Sequence, residues 1–458
     1  MADPLRGPVS ADPLRGRLVV VCGARFAGQA AARVLLARGA RVVLTDRARP
    51  AGLDAVVAAG AEFAGELTAL PADTRLVVTS PGWPPSHPLF ADAAERGVEV
   101  VGELEFAWRL RGSDAAPWLV VTGTNGKTTT VRMLEAMLLA AGRRALAVGN
   151  VGVSVIDAVV AAEPYDVLAV EASSYQLHWS STIRPLAGVL LNLAPDHLDW
   201  HGSMAAYARA KTAVWNGGVA VGNVDDPQVA ALLSPNGVGC TLGNPLAGQL
   251  GVADGRLVSR AFGDDGRSLC AVADVRPPGD HNVANALAAA ALARAYGVPP
   301  EAIGEGLRTF VSDPHRNQLV RTAGGLTWVD DSKATNPHAA RASLTGYSRV
   351  VWIAGGQLKG VSVDDLIAEV ADRLAGAVLL GEDRAEVAAA LGRHAPDVPV
   401  ISVDSTDDGA MTEVVHAAAG LARPGDVVLL APAAASYDMF SSYAARGDAF
   451  AAAVRELP

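Results

Sequence analysis

The run Trp118-Leu-Val-Val-Thr-Gly-Thr-Asn-Gly-Lys-Thr-Thr-Thr-Val131 constrains the fold of this chain more than any other stretch. It opens as a short apolar segment, breaks into Thr122–Thr129, and resumes as Val131–Ala141 with Gly142 just past the end. That order predicts a buried strand, a glycine turn and a helix closed by glycine. Gly123 and Gly126 let the loop turn its N–H groups inward around Thr124 and Asn125, and the helix N-terminus adds positive potential for a polyphosphate. Lys127 is expected on the outer phosphates and Thr128 on a magnesium ion, with Thr129 beside them. The loop is shorter than the usual G-x-x-x-x-G-K-[ST], because Val121 stands where the first glycine would be. A purely structural glycine turn is the competing reading, but the strand–loop–helix context argues for a nucleotide triphosphate site.

A chain of 458 residues leaves room for roughly two to four domains. Half of it is hydrophobic and 19% is charged, which supplies large cores. The net charge of -10 opposes non-specific nucleic-acid binding, which needs a basic face. Cys22, Cys240 and Cys270 lack CxxC spacing, so neither a disulfide framework nor a zinc site is indicated. No apolar run is long enough to span a membrane and the start lacks a signal-peptide pattern, so a cytoplasmic enzyme is expected. One bias is more telling. Of 38 Lys+Arg only four are lysines, Lys127, Lys211, Lys333 and Lys359. A position that stays Lys in an Arg-dominated chain suggests a need for a compact ammonium, or for an amine that can lose its proton and react.

Ala2-Asp-Pro-Leu-Arg-Gly7 recurs as Ala11-Asp-Pro-Leu-Arg-Gly16, and residues 1–17 are expected to be a disordered leader. Leu18–Cys22, the turn Gly23-Ala-Arg-Phe-Ala-Gly28, a helix over Gln29–Arg38 and the strand Arg41–Thr45 then form a βαβ unit. Its glycine pattern is incomplete, so it indicates an anionic or nucleotide ligand rather than NAD, with Asp46 placed for a ribose or uracil edge. Strand Leu76–Thr79 leads to Ser80-Pro-Gly82. Strand Val98–Val101 and a helix over Glu103–Arg111 follow, and a domain boundary is expected near residue 112.

The later strands alternate with helices, predicting a mostly parallel sheet with functional residues at strand C-termini. Strand Asp166–Val170 delivers Glu171, which is placed to hold magnesium, although a helix-capping role competes. Strand Ala187–Asn192 leads into Leu193-Ala-Pro-Asp-His-Leu-Asp-Trp-His-Gly202, where His197 is a candidate second-metal ligand. Zinc is disfavoured because no third spaced His or Cys follows. Lys211 lies just downstream on a helical stretch. An ammonium near magnesium is unfavourable, and reaction with carbon dioxide would turn it into a carboxylate ligand. A third domain is expected from Asp313-Pro-His-Arg316. Within it Lys333 and Lys359 both follow strands at turns suited to anions.

Gly123–Thr129, Glu171-Ala-Ser-Ser-Tyr-Gln176, Asn192–Asp199, Lys211 and Gly279-Asp-His-Asn-Val-Ala-Asn-Ala286 together resemble the Mur ligase family along nearly the whole chain after the leader. The resemblance implies an α/β chain of three domains. Residues 18–112 would form a Rossmann-like UDP-substrate domain and 113–312 a P-loop ATPase with a mostly parallel sheet. Residues 313–458 would form a Rossmann-like amino-acid domain. It also implies an ADP-forming amide ligase of peptidoglycan synthesis using ATP and two Mg2+ ions. Glu171 and His197 would bind magnesium, Lys211 would be an N6-carboxylysine, and Asn282 and Asn285 would lie near the adenine. Arg25, Phe26, Asp46, Arg47, Ser80 and Gly82 fall in the UDP-substrate domain, and Asn150, Ser173 and Gln176 would approach the muramoyl part. Asp331-Ser-Lys-Ala-Thr-Asn336 is similar to the member that adds D-glutamate to UDP-N-acetylmuramoyl-L-alanine. On that similarity Thr335, Lys359, Ser436 and Tyr443 hold D-glutamate, while Asp331, Lys333, His315 and Arg316 face the nucleotide. Leu358, Gln318 and Tyr443 depart from the familiar Asp, Glu and Phe.

ATP would convert the substrate carboxylate to an acyl phosphate, Lys127 and magnesium would neutralise the transferring group, and the free amine of D-glutamate would displace phosphate. Closure of the third domain would exclude water. No residue declares itself as the base. A monomer without nucleic-acid or membrane partners is expected. A folylpolyglutamate-type ligase is the rival within the enzyme class, but it is expected to lack a UDP-binding domain ahead of the loop, where residues 18–112 stand. A P-loop regulatory ATPase is the rival outside it, and it gives Lys333 and Lys359 no purpose.

Overall fold

The computed structural model describes residues 14–112, 114–405 and 409–457. Residues 1–13, most of the expected leader, lie outside them. Leu14–Arg17, expected as its end, are instead held in place. Leu14 is buried in the core and the Gly16 N–H donates to Gly39 O at 2.8 Å.

The chain divides into two bodies. One runs to Asp274 and includes Ala284–Phe310; the other comprises Val275–Val283 and everything from Val311. The first body contains two sheets. In the five-stranded one the order is Glu62–Phe63, Arg41–Thr45, Leu18–Cys22, Thr74–Thr79 and Glu99–Gly102, all parallel. Leu18–Cys22 is buried along its whole length, as expected of a parallel strand covered on both faces. Glu62–Phe63 was not foreseen, since two residues carry no periodicity.

The nine-stranded sheet is ordered Arg267–Ala271, Arg256–Ser259, Gln249–Ala253, Val238–Cys240, Val219–Asn223, Ala187–Leu190, Trp118–Thr122, Val167–Glu171 and Ala145–Gly149. Seven of its strands run parallel, and a meander of two antiparallel pairs ends it. The meander turns at Asp254-Gly255, both at positive φ, the hairpin signal that the sequence does carry. The phosphate-loop helix spans Lys127–Ala140, starting one turn before the apolar periodicity, because its first turn is Lys127 and three threonines, of which Thr128 and Thr130 are buried.

The second body holds a six-stranded sheet ordered Gln318–Ala323, Leu326–Asp330, Val427–Leu430, Val350–Gly355, Leu374–Leu380 and Val400–Ser402. Only the first pair is antiparallel. Helices on its two faces bury separate apolar clusters, one around Trp352 and Leu366, the other around Trp328 and Phe450. The α/β architecture of three sheets expected from the sequence is therefore present. In open sheets of this kind the strand C-termini, near points where strand order reverses, form the crevices that take ligands.

Candidate functional site

The phosphate loop leaves the C-terminus of Trp118–Thr122 and is braced by its neighbour. The Asn125 N–H donates to Asn192 Oδ1 at 2.8 Å, and Asn192 Nδ2 returns a bond to Asn125 O at 3.1 Å. Thr124 Oγ1 lies 3.0 Å from the Tyr207 hydroxyl. Gly126 has φ +83° at the helix N-cap, and a Cβ there would run into Asn285 Oδ1. Only glycine meets both demands, and the expected adenine-side residue Asn285 thereby packs on the loop. Asn282 is buried and donates to Pro278 O at 3.4 Å. Lys127 Nζ donates to Gly123 O and Thr124 O, both at 2.9 Å, folding its charge over the loop.

Glu171 is the last residue of its strand and is 1% exposed. Its Oε2 accepts from Thr128 Oγ1 at 2.7 Å and its Oε1 from Asn150 Nδ2 at 2.9 Å. Asn150 comes this close because Gly149, φ +100°, passes where a Cβ would strike the Glu171 carbonyl. Magnesium prefers oxygen ligands and is usually held by one or two carboxylates plus phosphate oxygens. A threonine hydroxyl and a buried carboxylate in contact beside a phosphate loop fit that donor set. Among the described residues no group of three or more His, Cys, Asp or Glu side chains is gathered. An ion here would thus depend on hydroxyl and phosphate oxygens as well.

His197 has φ 53°, with Nε2 3.3 Å from Asp196 and its ring 4.7 Å from that of Tyr175. The expected loop from Leu193 to Gly202 contains a helical turn, Leu198–His201, whose Trp200 and His201 rings lie 4.7 and 5.8 Å from that of Tyr175. Lys211 is 1% exposed; its Nζ donates to Gly123 O at 2.7 Å and lies 4.8 Å from the Tyr207 ring centre. Burial, and then the charge of Lys127, hold this amine well below the usual lysine range. Two of the four lysines therefore converge on one backbone carbonyl, that of Gly123.

At the order reversal of the first sheet lies a cavity of about 440 Å³. Arg25, Asp46, Arg47, Ser80 and Gly82, grouped together from the sequence, line it. Asp46 Oδ2 accepts from the Ala24 N–H at 2.8 Å, which fixes the carboxylate against the turn. Glu66, Trp83 and His87 complete the wall and were missed. Glu66 follows a strand too short to recognise, and it is held below the usual carboxylate range by a 2.9 Å bond from Arg47. The Pro-rich loop after Ser80 carries Trp83 and His87, whose rings meet edge-on at 4.5 Å. Phe26, Asn150 and Gln176 line a different cavity of about 240 Å³, and Ser173 caps the helix Ser174–His178.

In the second body a cavity of about 340 Å³ opens at the C-termini of Leu326–Asp330, Val350–Gly355 and Val427–Leu430. It gathers Lys333, Thr335, Lys359, Ser436 and Tyr443 from four separated segments. Lys333 Nζ sits 3.8 Å from the Tyr443 ring centre, and Lys359 occupies a left-handed turn at φ 56°. Leu358, where the family often has Asp, is buried and its N–H donates to Asp383 at 2.7 Å. Gln357 and Tyr437 also line the cavity. Beneath it the buried Arg446 donates to Ser332 Oγ and Ser332 O at 3.0 Å and to Ala434 O at 3.1 Å, binding two of the lining segments together.

Beside this cavity His315 Nδ1 pairs with Asp330 Oδ2 at 2.7 Å. Asp331 accepts from the Asn317 N–H at 3.1 Å and from Ser343 Oγ. Burial pushes its carboxyl up from 3.8 to about 7, against opposing contributions from those donors and Arg316. A carboxyl raised on folding binds extra protons in the native state. Its stabilisation is thus present below 3.8 and lost as pH rises through about 7. The expected result is a thermal midpoint that falls across that window, and a flatter profile in Asp331→Asn. An unchanged slope in the variant would assign the pH dependence elsewhere.

Residues 17–102 match the family described as Mur ligase MurD-like, N-terminal domain. Residues 121–293 match the Mur ligase middle domain, and 315–434 the Mur ligase glutamate ligase domain. The UDP-N-acetylmuramoylalanine–D-glutamate ligase of Streptomyces avermitilis is 53% identical over 461 residues, covering 97% of this chain and 99% of that protein. That of Thermobifida fusca is 55% identical over 464 residues, with 97% and 99% covered. Among solved structures, the UDP-N-acetylmuramate-alanine ligase MurC of Thermotoga maritima aligns with a TM-score of 0.60 at 16% identity, covering 96% of this chain and 99% of that one. This last likeness concerns the fold.

Proposed function

The chain belongs to the Mur ligase family, and from that premise we propose that it joins D-glutamate to UDP-N-acetylmuramoyl-L-alanine in an ATP-dependent, ADP-forming reaction of peptidoglycan precursor synthesis. Near-full-length identity to D-glutamate ligases supports the activity. The observation that carries the choice of amino acid is the cavity where Lys359 stands with Thr335, Ser436 and Tyr443. A dicarboxylate needs a cation and hydroxyl donors, and this cavity has both.

The phosphate loop, with Asn285 against it, binds ATP, and Lys127 swings from its carbonyl partners onto the terminal phosphates. The cavity under Asp46 takes the uridine diphosphate, and the one lined by Asn150 and Gln176 takes the muramoyl-alanine end. The substrate carboxylate attacks the terminal phosphorus, ADP leaves, and the resulting acyl phosphate receives the amine of D-glutamate with loss of phosphate. Thr128 and Glu171 would hold magnesium, which would supply neutralisation of charge on the transferring group. His197 and a carbamylated Lys211 are assigned to a second ion. The depressed, buried amine of Lys211 supports this, because the neutral amine is the form that adds to carbon dioxide, releasing one proton. Asp331, His315, Arg316 and Lys333 serve the nucleotide. Domain limits of 18–112, 113–312 and 313–458, a monomeric state and a cytoplasmic location complete the proposal. Among the described residues no helix is long and apolar enough to cross a membrane.

The deciding assay is phosphate release with UDP-N-acetylmuramoyl-L-alanine, with and without D-glutamate, against L-glutamate and D-alanine. Release that ignores D-glutamate would favour a regulatory ATPase. In the same assay Lys359→Ala is expected to raise the D-glutamate KM by about 10- to 100-fold, the worth of one charge-assisted hydrogen bond. The ATP KM should stay near its original value. Equal shifts in both would remove Lys359 from the amino-acid site.

A further inference from the structure

Glu103 opens the helix Glu103–Leu110 and is 5% exposed, yet the reaction as described gives it no part. Its Oε1 bonds Ser154 Oγ at 2.8 Å and its Oε2 accepts from Gln176 Nε2 at 3.3 Å. Three segments thus meet on one carboxyl: the helix that follows the first sheet, the loop after Ala145–Gly149, and the first turn of Ser174–His178. Each partner is itself committed. Ser154 Oγ accepts from the Ile156 N–H at 3.2 Å, capping the helix Val155–Val159. Gln176 Oε1 accepts from the Ser173 N–H at 3.0 Å, and Ser173 Oγ accepts from the Gln176 N–H at 3.2 Å, a reciprocal capping box. With its oxygen held there, the Gln176 amide cannot flip, and Nε2 has to find an acceptor on the side where Glu103 stands. Glu103, Gln176, Asn150 and Phe26 all line the cavity of about 240 Å³.

We propose that Glu103 is a positioning residue for the muramoyl substrate, acting through Gln176 and the loop from Gly149 to Ser154 to hold that cavity in its receptive shape. The inference rests on the assignment of Gln176 and Asn150 to this substrate. Burial raises the Glu103 carboxyl above its ordinary range. Glu103 accepts from both Ser154 Oγ and Gln176 Nε2; an amide in its place keeps its oxygen toward Gln176 Nε2 and turns its N–H toward Ser154 Oγ, whose hydroxyl rotates to accept. Glu103→Gln therefore preserves both bonds, whereas Glu103→Leu leaves Gln176 Nε2 without its acceptor in a buried place.

The test is steady-state kinetics on Glu103→Leu, Glu103→Gln, Gln176→Leu and the Leu/Leu double variant. Glu103→Leu should raise the KM for UDP-N-acetylmuramoyl-L-alanine about tenfold, as expected for one lost oriented hydrogen bond. The KM values for ATP and D-glutamate should hold, and Glu103→Gln should stay within about twofold of the unaltered enzyme. The double variant should be no worse than the poorer single one, because two residues acting as one unit are not additive. If Glu103→Leu does not fold, Glu103→Asp, whose carboxyl falls one methylene short of Gln176, carries the same expectation. Equal rises for all three substrates, no rise, or additive effects would overturn the role of Glu103. An unchanged KM in Gln176→Leu would overturn the assignment of the cavity itself, and with it this role.

Discussion

Lys127→Ala is expected to lower D-glutamate-dependent phosphate release by about 10³-fold, the upper range for removing one preorganised donor from a developing charge. The fold should survive. Lys127 begins the helix Lys127–Ala140, where alanine is at least as good a helix former; without it Gly123 O keeps the bond from Lys211 Nζ, and the half-buried Thr124 carbonyl can take water. The loss should fall on kcat, because the ammonium matters most when charge has moved onto the leaving ADP. Affinity for the UDP substrate, measured by calorimetry, should be unchanged, since that cavity is built from other residues. Release within about tenfold of the original rate would remove Lys127 from the phosphoryl-transfer step.

Lys211→Arg is expected to cost at least about 100-fold in turnover, although the charge is nominally conserved. The side chain is buried between Gly123 O and the Tyr207 ring, and its amine is depressed by burial and by Lys127. A guanidinium stays protonated, cannot add carbon dioxide, and would bring a permanent second cation beside Lys127. Active enzyme equilibrated with isotopically labelled bicarbonate should show a carbamate carbonyl resonance that Lys211→Arg lacks. Full activity in the Arg variant, or active enzyme without the label, would leave Lys211 a buried structural amine.

Much of the site was legible because its signals are local. Thr122–Thr129 encode a loop by their own glycines, Glu171 follows an unmistakable apolar run, and the scarcity of lysine singles out Lys211, Lys333 and Lys359 on composition alone. The residues that escaped are those whose role depends on contacts across long sequence separations. Asn192 braces the loop from 67 positions away, Arg446 reaches Ser332 across 114, and Glu103 reaches Gln176 across 73. Glu66 escaped for a different reason, since two residues of strand are too few to show alternation.

The sequence by itself determined the kind of architecture and the chemistry of ATP activation. Apolar runs alternating with helical periods require buried parallel strands, and parallel strands place their following loops along one edge. What only the tertiary structure decided is which loops share an edge and which side chains meet there. Strand order is set by packing over the whole sheet, so it brings Gly23 beside Ser80 and Lys333 beside Lys359 with no local trace in the chain. Burial is likewise a property of the assembled fold. Together with the nearby charge of Lys127, it turns Lys211 from one lysine among four into an amine held below its ordinary range.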